Sequence, residues 1–176
     1  MNNLLITGAG SKFTKLIIKK IYKNYDKIFL LTNKSVPKYN NKKIKHIKVD
    51  LASSANIPVK VNEIIHMAAL VPYNNKFANK VDVLNVNLKI TYNLLRYAIK
   101  NKIKKIIFTS STDVYPLYNN KKINLKTSLN CHNDYGLSKI ASERLLKTCS
   151  DIFNISLIIL RIGPVYSEEN PNCNKI

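Results

Sequence analysis

Short apolar runs alternate with longer amphipathic stretches along the chain, and this alternation predicts strands and helices in turn. Six runs read as strands: Asn3–Thr7, Lys27–Thr32, Lys45–Val49, Glu63–Met67, Lys104–Ser110 and Ile155–Leu160. Between them, apolar residues recur at helical spacing over Lys12–Asn24 (Phe13, Leu16, Ile17, Ile21) and over Val83–Asn101 (Leu84, Leu88, Leu94, Leu95, Ala98). A third helix is predicted over Cys131–Ser150, beginning near Asn133. Strands and helices in this order make βαβ units around a parallel sheet, and runs such as IIFTS predict strands buried on both faces. The polar segments KSVPKYNNKK, LVPYNNKF and PLYNNKKINLKTSLN then fall past strand C-termini, where such a sheet presents its ligand-facing loops.

Composition narrows the class. At 176 residues and 45% apolar content, the chain suits a single domain with its own core. Its apolar runs fall well short of the roughly 20 residues of a membrane-spanning helix. Gly8 and Gly10 interrupt the N-terminal apolar stretch, which therefore lacks the form of a secretory leader. Cys131, Cys149 and Cys173 form no C-x-x-C pair, so neither a disulfide framework nor a zinc site is indicated, and a cytoplasmic setting is expected. A net charge of +19 raises nucleic-acid binding, but the cations are nearly all scattered lysines. Arginine, the preferred bidentate reader of bases and phosphates, is confined to Arg96, Arg144 and Arg161, which argues against that partner.

Three stretches carry candidate chemistry. ITGAG turns from the first strand into the first helix, with Gly8 and Gly10 where a backbone must come close to a phosphate or take φ > 0. YGLSK puts Tyr135 and Lys139 on one face of the third helix, since residues four apart are about 40° apart around the axis. An ammonium beside a phenol lowers the phenol's pKa toward the range of a general base; the bland alternative is a surface pair on a lysine-rich helix. Upstream, FTSSTDVYP runs from an apolar strand into Thr109, Ser110, Ser111 and Thr112, and a hydroxyl there could meet a substrate oxygen beside Tyr135.

These stretches, with VDLAS, IIHMAA, NVNLKITYNLL and LRIGPVY in the same order, resemble the extended short-chain dehydrogenase/reductase family of NAD(P)-dependent nucleotide-sugar epimerases, dehydratases and reductases. The resemblance covers nearly the whole chain. It implies a Rossmann-like α/β fold, a doubly wound parallel sheet, over residues 1–165. It also implies that the polar run 166–176 begins a small C-terminal substrate region otherwise absent from the 176 residues.

By the same resemblance, Tyr135 is the catalytic base, Lys139 binds the nicotinamide ribose and lowers the tyrosine pKa, and Ser111 orients the reacting oxygen. Cofactor contacts are implied at Gly8, Gly10, Ser11, Lys12, Phe13, Asn33, Lys34, Asp50, Leu51, Ala68, Ala69 and Asn87, as well as at Tyr135 and Lys139. His66, in the strand end IIHMAA, reads as a packed histidine. A dehydratase carries Asp and Glu after the serine, where this chain has Thr112 and Asp113, so an epimerase or reductase is expected.

The family's turn is T-G-x-x-G-x-x-G, and here Ser11 and Thr14 stand at its second and third glycines. No acid ends the second strand, where one would bond the ribose 2′-OH of NAD; Asn33 and the cationic Lys34 stand there instead, which leans toward NADP. The implied partners are a nucleotide sugar and a second copy paired through the two long helices. The alternative is a non-catalytic cofactor-binding or scaffold protein of the same fold.

Overall fold

The computed structural model describes residues 2–33, 39–71, 80–117 and 122–165. Six parallel strands form one sheet: β1 (Asn3–Thr7), β2 (Lys27–Thr32), β3 (Ile44–Lys48), β4 (Glu63–His66), β5 (Lys105–Ser111) and β6 (Ser156–Ile162). Their order, β3-β2-β1-β4-β5-β6, reverses direction between β1 and β4. In doubly wound sheets this reversal opens a crevice at the strand C-termini, and ligands bind there.

Helix α1 (Lys12–Ile21) covers one face, burying Ile18 against Leu4, Ile6, Ile28, Leu30 and Ile65. Helices α2 (Lys80–Lys100) and α3 (Asp134–Phe153) cover the other, where Leu94, Leu95 and Leu146 meet Leu5, Phe29, Ile64, Ile106 and Phe108. Odd and even positions of β1 thus enter different cores, as a strand's two-residue period requires.

The predicted strands agree with the observed ones to within two residues at each end, and the helices differ by up to three: α1 passes into a 3-10 turn over Tyr22–Asn24, α2 begins at Lys80, and both ends of α3 shift. Its first turn begins at Asp134 because Asn133 caps it, the side-chain oxygen accepting from the Gly136 amide at 2.6 Å. It runs on to Phe153, where Asn154 in the left-handed region (φ 53°) ends it. Burial on both faces holds for β1, β2 and β4 but not for β5, whose residues alternate between buried and half-buried. Among the described residues no helix covers the second face of β5 and β6, and Ile158 and Leu160 on β6 are exposed.

Candidate active site

Two clefts open at the crevice and meet at Ala69, which lines both. One, of about 370 Å³, has apolar walls from Leu31, Val49, Leu51, Val86 and Ile90, with Thr32, Asn33 and Asp50 as its polar members. Gly8, Ala68 and Ala69 also line it, so six of the residues implied as cofactor contacts share this wall. The other, of about 410 Å³, gathers Ser11, Phe13, Ser111, Tyr135 and Lys139. Lys34 lies outside the described residues. Gly10 and Asn87 line neither cleft.

The turn after β1 shows how Ser11 and Thr14 replace glycines. Ser11 is the N-cap of α1, its Oγ accepting from the Thr14 amide at 3.1 Å. The fully buried Thr14 hydroxyl donates to the Gly8 carbonyl at 3.2 Å, which leaves Ser11 to donate to Thr14 Oγ1 at 2.9 Å. The Ser11 amide also donates to the Gly8 carbonyl, at 3.3 Å. The turn therefore satisfies its own hydroxyls. The Lys12 and Phe13 amides belong to the first turn of α1, where an anion is bound best. With an apolar slot beside them and Gly10 free of close neighbours, the residues present fit a dinucleotide.

Asn87 holds the cleft wall instead of lining it. Its side-chain oxygen accepts from the Leu70 amide at 2.6 Å, and its nitrogen donates to the Leu70 carbonyl and to Ser138 Oγ at 3.1 and 3.0 Å. The loop after β4 is thereby fastened to α2 and α3.

His66 lies fully buried beneath the same loop. Thr7 Oγ1 accepts from the amides of Met67 and Ala68, at 3.2 and 3.1 Å, so its own proton goes to His66 Nδ1 at 2.8 Å. The ring is then neutral with its proton on Nε2, donating to Thr91 Oγ1 at 3.2 Å, and Thr91 donates to the Asn87 carbonyl at 3.0 Å. Burial, with Lys139 adding to it, pushes the imidazole down to about 3 from an ordinary 6.5. Between those pH values the unfolded chain binds a proton that the folded one refuses, so stability falls as pH falls. Moving from pH 7 to 5 removes about 2 kcal/mol through this residue. Urea unfolding at both pH values is expected to show a smaller loss in His66→Gln than in the wild type; equal losses would acquit His66.

Around the second cleft, α3 and the end of β5 are locked together. Lys139, 3% exposed, donates to the Thr109 carbonyl at 2.9 Å, and its ammonium lies 4.8 Å from the Phe108 ring centre and 5.5 Å from that of Tyr135. Burial pushes it down to about 8, against the pull of Glu143. Ser111 Oγ accepts from the Asp113 amide at 3.1 Å, which leaves its proton free for a substrate oxygen.

Tyr135 departs from expectation. Burial and the Asp113 carboxylate push its phenol up to about 12. These outweigh the Lys139 ammonium 5.5 Å from the ring centre, so the phenol stays protonated at neutral pH.

Glu143 and Arg161 were not singled out from sequence, although Glu143 sits four residues beyond Lys139 on the Tyr135 face of α3. Glu143 is 5% exposed; Arg161 donates to it twice, at 3.1 and 2.8 Å, and Ser110 Oγ donates to it as well. A charge repeating at i, i+4 with a buried face was the available signal.

The chain matches the model of the NAD dependent epimerase/dehydratase family over residues 4–175. It is 31% identical over 174 residues to a putative UDP-glucose 4-epimerase of Methanocaldococcus jannaschii, covering 94% of this chain and 56% of that one. A UDP-N-acetylglucosamine 4-epimerase from Methanobrevibacter ruminantium superposes with a TM-score of 0.80 at 23% identity, over 97% of this chain and 59% of the other. A UDP-glucose 4-epimerase of Thermus thermophilus, solved with NAD, gives 0.78 at 19%, over 94% and 56%. The chain thus spans somewhat more than half the length of these relatives. The lean toward NADP finds no support here, since the family is described as NAD dependent. A sheet that reverses between β1 and β4, a β1 turn that borders both clefts, and a sequence match along nearly the whole length agree: the chain belongs to the NAD dependent epimerase/dehydratase family.

Proposed function

We propose that the protein binds NAD(H) across the two clefts and acts on a nucleotide sugar as an epimerase or reductase, exchanging hydride at a carbinol carbon. The observation that carries this reading is the convergence of Ser111, Tyr135 and Lys139 on one cleft that abuts the apolar slot. Bound NAD supplies the hydride acceptor and donor. The chain's own residues handle position and proton. Ser111 donates to the reacting oxygen, and Tyr135 gives a proton to a carbonyl or takes one from a hydroxyl at that oxygen. Lys139 fixes the end of β5 and puts a positive charge near the phenol. Asp113 and burial favour the protonated phenol, so the reducing direction needs no prior ionisation of Tyr135.

NAD is placed first because the family description and the Thermus complex name it. The neutral Asn33 in the slot does not by itself select against a 2′-phosphate. Pairing of two copies through the outer faces of α2 and α3 belongs to the same reading and rests on the family resemblance.

Titration with NAD, NADH, NADP and NADPH, read by nicotinamide fluorescence and by thermal shift, is expected to show binding with NADH preferred. Tyr135→Phe should keep that binding within a few-fold while turnover of UDP-glucose falls about 10²–10⁴-fold. Absence of binding by all four at millimolar concentration would overturn the reading, and binding without turnover in the wild type would favour a non-catalytic role.

A further inference from the structure

Beneath the cleft is a buried ionic cluster to which the proposed chemistry assigns no part. Glu143 projects from α3 one turn beyond Lys139 and accepts from two other elements: Ser110 on β5, and Arg161 on β6 through Nε and Nη2. The third guanidinium nitrogen, Nη1, donates to the Tyr115 hydroxyl at 2.8 Å, and the guanidinium carbon lies 5.2 Å from the centre of that ring. Thr109, Ser110 and Ser111 are consecutive on β5. The first is held through its carbonyl by Lys139 and the second through its hydroxyl by Glu143, and the third faces the cleft. Two residues one helical turn apart on α3 thus grip two successive residues of β5 and set the direction of the next.

A buried carboxylate is retained only where its charge is matched. Here a single anion is paired directly with Arg161 and lies one helical turn from Lys139, whose charge it favours against burial. Of the charged and titratable groups around Lys139, Tyr135 and Glu143 lie on α3 and His66 on β4, Asp113 in the turn after β5 lines the same cleft, and Arg161 on β6 is bound to Glu143. His66 is neutral and Asp113 acts on Tyr135, which leaves Glu143 as the balancing anion.

Building on the proposed function, we propose that Glu143 is a positioning residue: the anion shared by Lys139 and Arg161, which holds α3, β5 and β6 in the register that places Ser111, Tyr135 and Lys139 in one cleft and keeps the lysine cationic. Such an anion works in opposite senses through its two partners. Removing it leaves Lys139 less charged, whereas removing Arg161 gives Lys139 the undivided carboxylate.

The test is a pH titration of the Lys139 side chain by ¹³C/¹⁵N lysine NMR, with the resonance assigned by its loss in Lys139→Arg. Glu143→Gln is expected to lower the Lys139 midpoint by about one unit or more, the size of a close opposite charge. Arg161→Gln should raise it, and Glu143→Asp should restore it to near the wild-type value. Midpoints in Glu143→Gln and Arg161→Gln that both stay within about 0.3 unit of the wild type, or that move in the same sense, would overturn the proposal. If Glu143→Gln does not fold, the sense of the Arg161→Gln shift decides. The measurement uses no cofactor, so a failure of NADH binding would count against the proposed function and leave this result standing.

Discussion

Replacing Gly136 with alanine is expected to destabilise the protein by about 3 kcal/mol, the upper end of the cost of overpacking a close contact. The sign is diagnostic, because helix propensity alone favours alanine over glycine by up to about 1 kcal/mol. Gly136 lies in the first turn of α3, where its amide is held by the Asn133 cap. A Cβ at this position would overlap the Asp113 carbonyl oxygen, and it would stand 2.7 Å from Cys131 Cβ. The carbonyl belongs to the turn just past β5, so it cannot rotate away as a side-chain end would. Relief requires the start of α3 to move outward, carrying Tyr135 away from Ser111. A displacement near 1 Å at reacting groups can cost about 10²-fold in rate. Urea unfolding of Gly136→Ala, with the exposed Leu137→Ala as control on the same turn, measures the effect; a loss under about 0.5 kcal/mol would show that the helix and the turn are not in hard contact.

That contact illustrates what the sequence could and could not reveal. The elements were legible because their two periods are distinct: Leu4 and Ile6 enter one core while Leu5 enters the other, and Leu94, Leu95 and Ala98 mark a single helical face. The meeting of a hydroxyl at the end of β5 with Tyr135 and Lys139 followed from placing them at a strand end and on one helix face, and the family resemblance implied that the hydroxyl is Ser111. What escaped depends on distances between elements remote in sequence. Glu143 reads as one more solvated charge until Arg161, 18 residues on, turns out to meet it. Asn87 reads as a ligand contact until its amide is seen to clasp Leu70. The lowering of the Tyr135 pKa by Lys139 rests on spacing and on the family resemblance. Spacing gives the shared face but not the burial of both groups, nor the Asp113 carboxylate that raises the phenol further and the Glu143 carboxylate that acts against burial at the lysine.

The two glycines of the first turn look equivalent in TGAG, and their substitution should separate them sharply. Gly8 sits at φ +73°, and a Cβ there would lie 2.7 Å from the Ala68 amide nitrogen and 2.8 Å from the Met67 carbonyl carbon. Left-handed backbone costs an L-residue roughly 1–2 kcal/mol, and a clash with backbone adds roughly 1–3 more. Gly8→Ala is therefore expected to lose about 3 kcal/mol or more. It should also weaken NADH binding, because the atoms pushed aside belong to the Ala68–Ala69 wall of the apolar slot and to the loop that Asn87 and Thr7 hold in place. Gly10 takes no positive φ, and a Cβ there would find Thr32 Oγ1 as its nearest neighbour at 4.0 Å. Gly10→Ala should leave stability unchanged or raise it by about 0.4–1 kcal/mol through the stiffer unfolded chain. Thermal or urea unfolding of the two variants side by side decides the point. Equal losses would mean that the turn's shape is required throughout, and a tolerated Gly8→Ala would mean that β1 and the end of β4 do not approach as closely as the site demands.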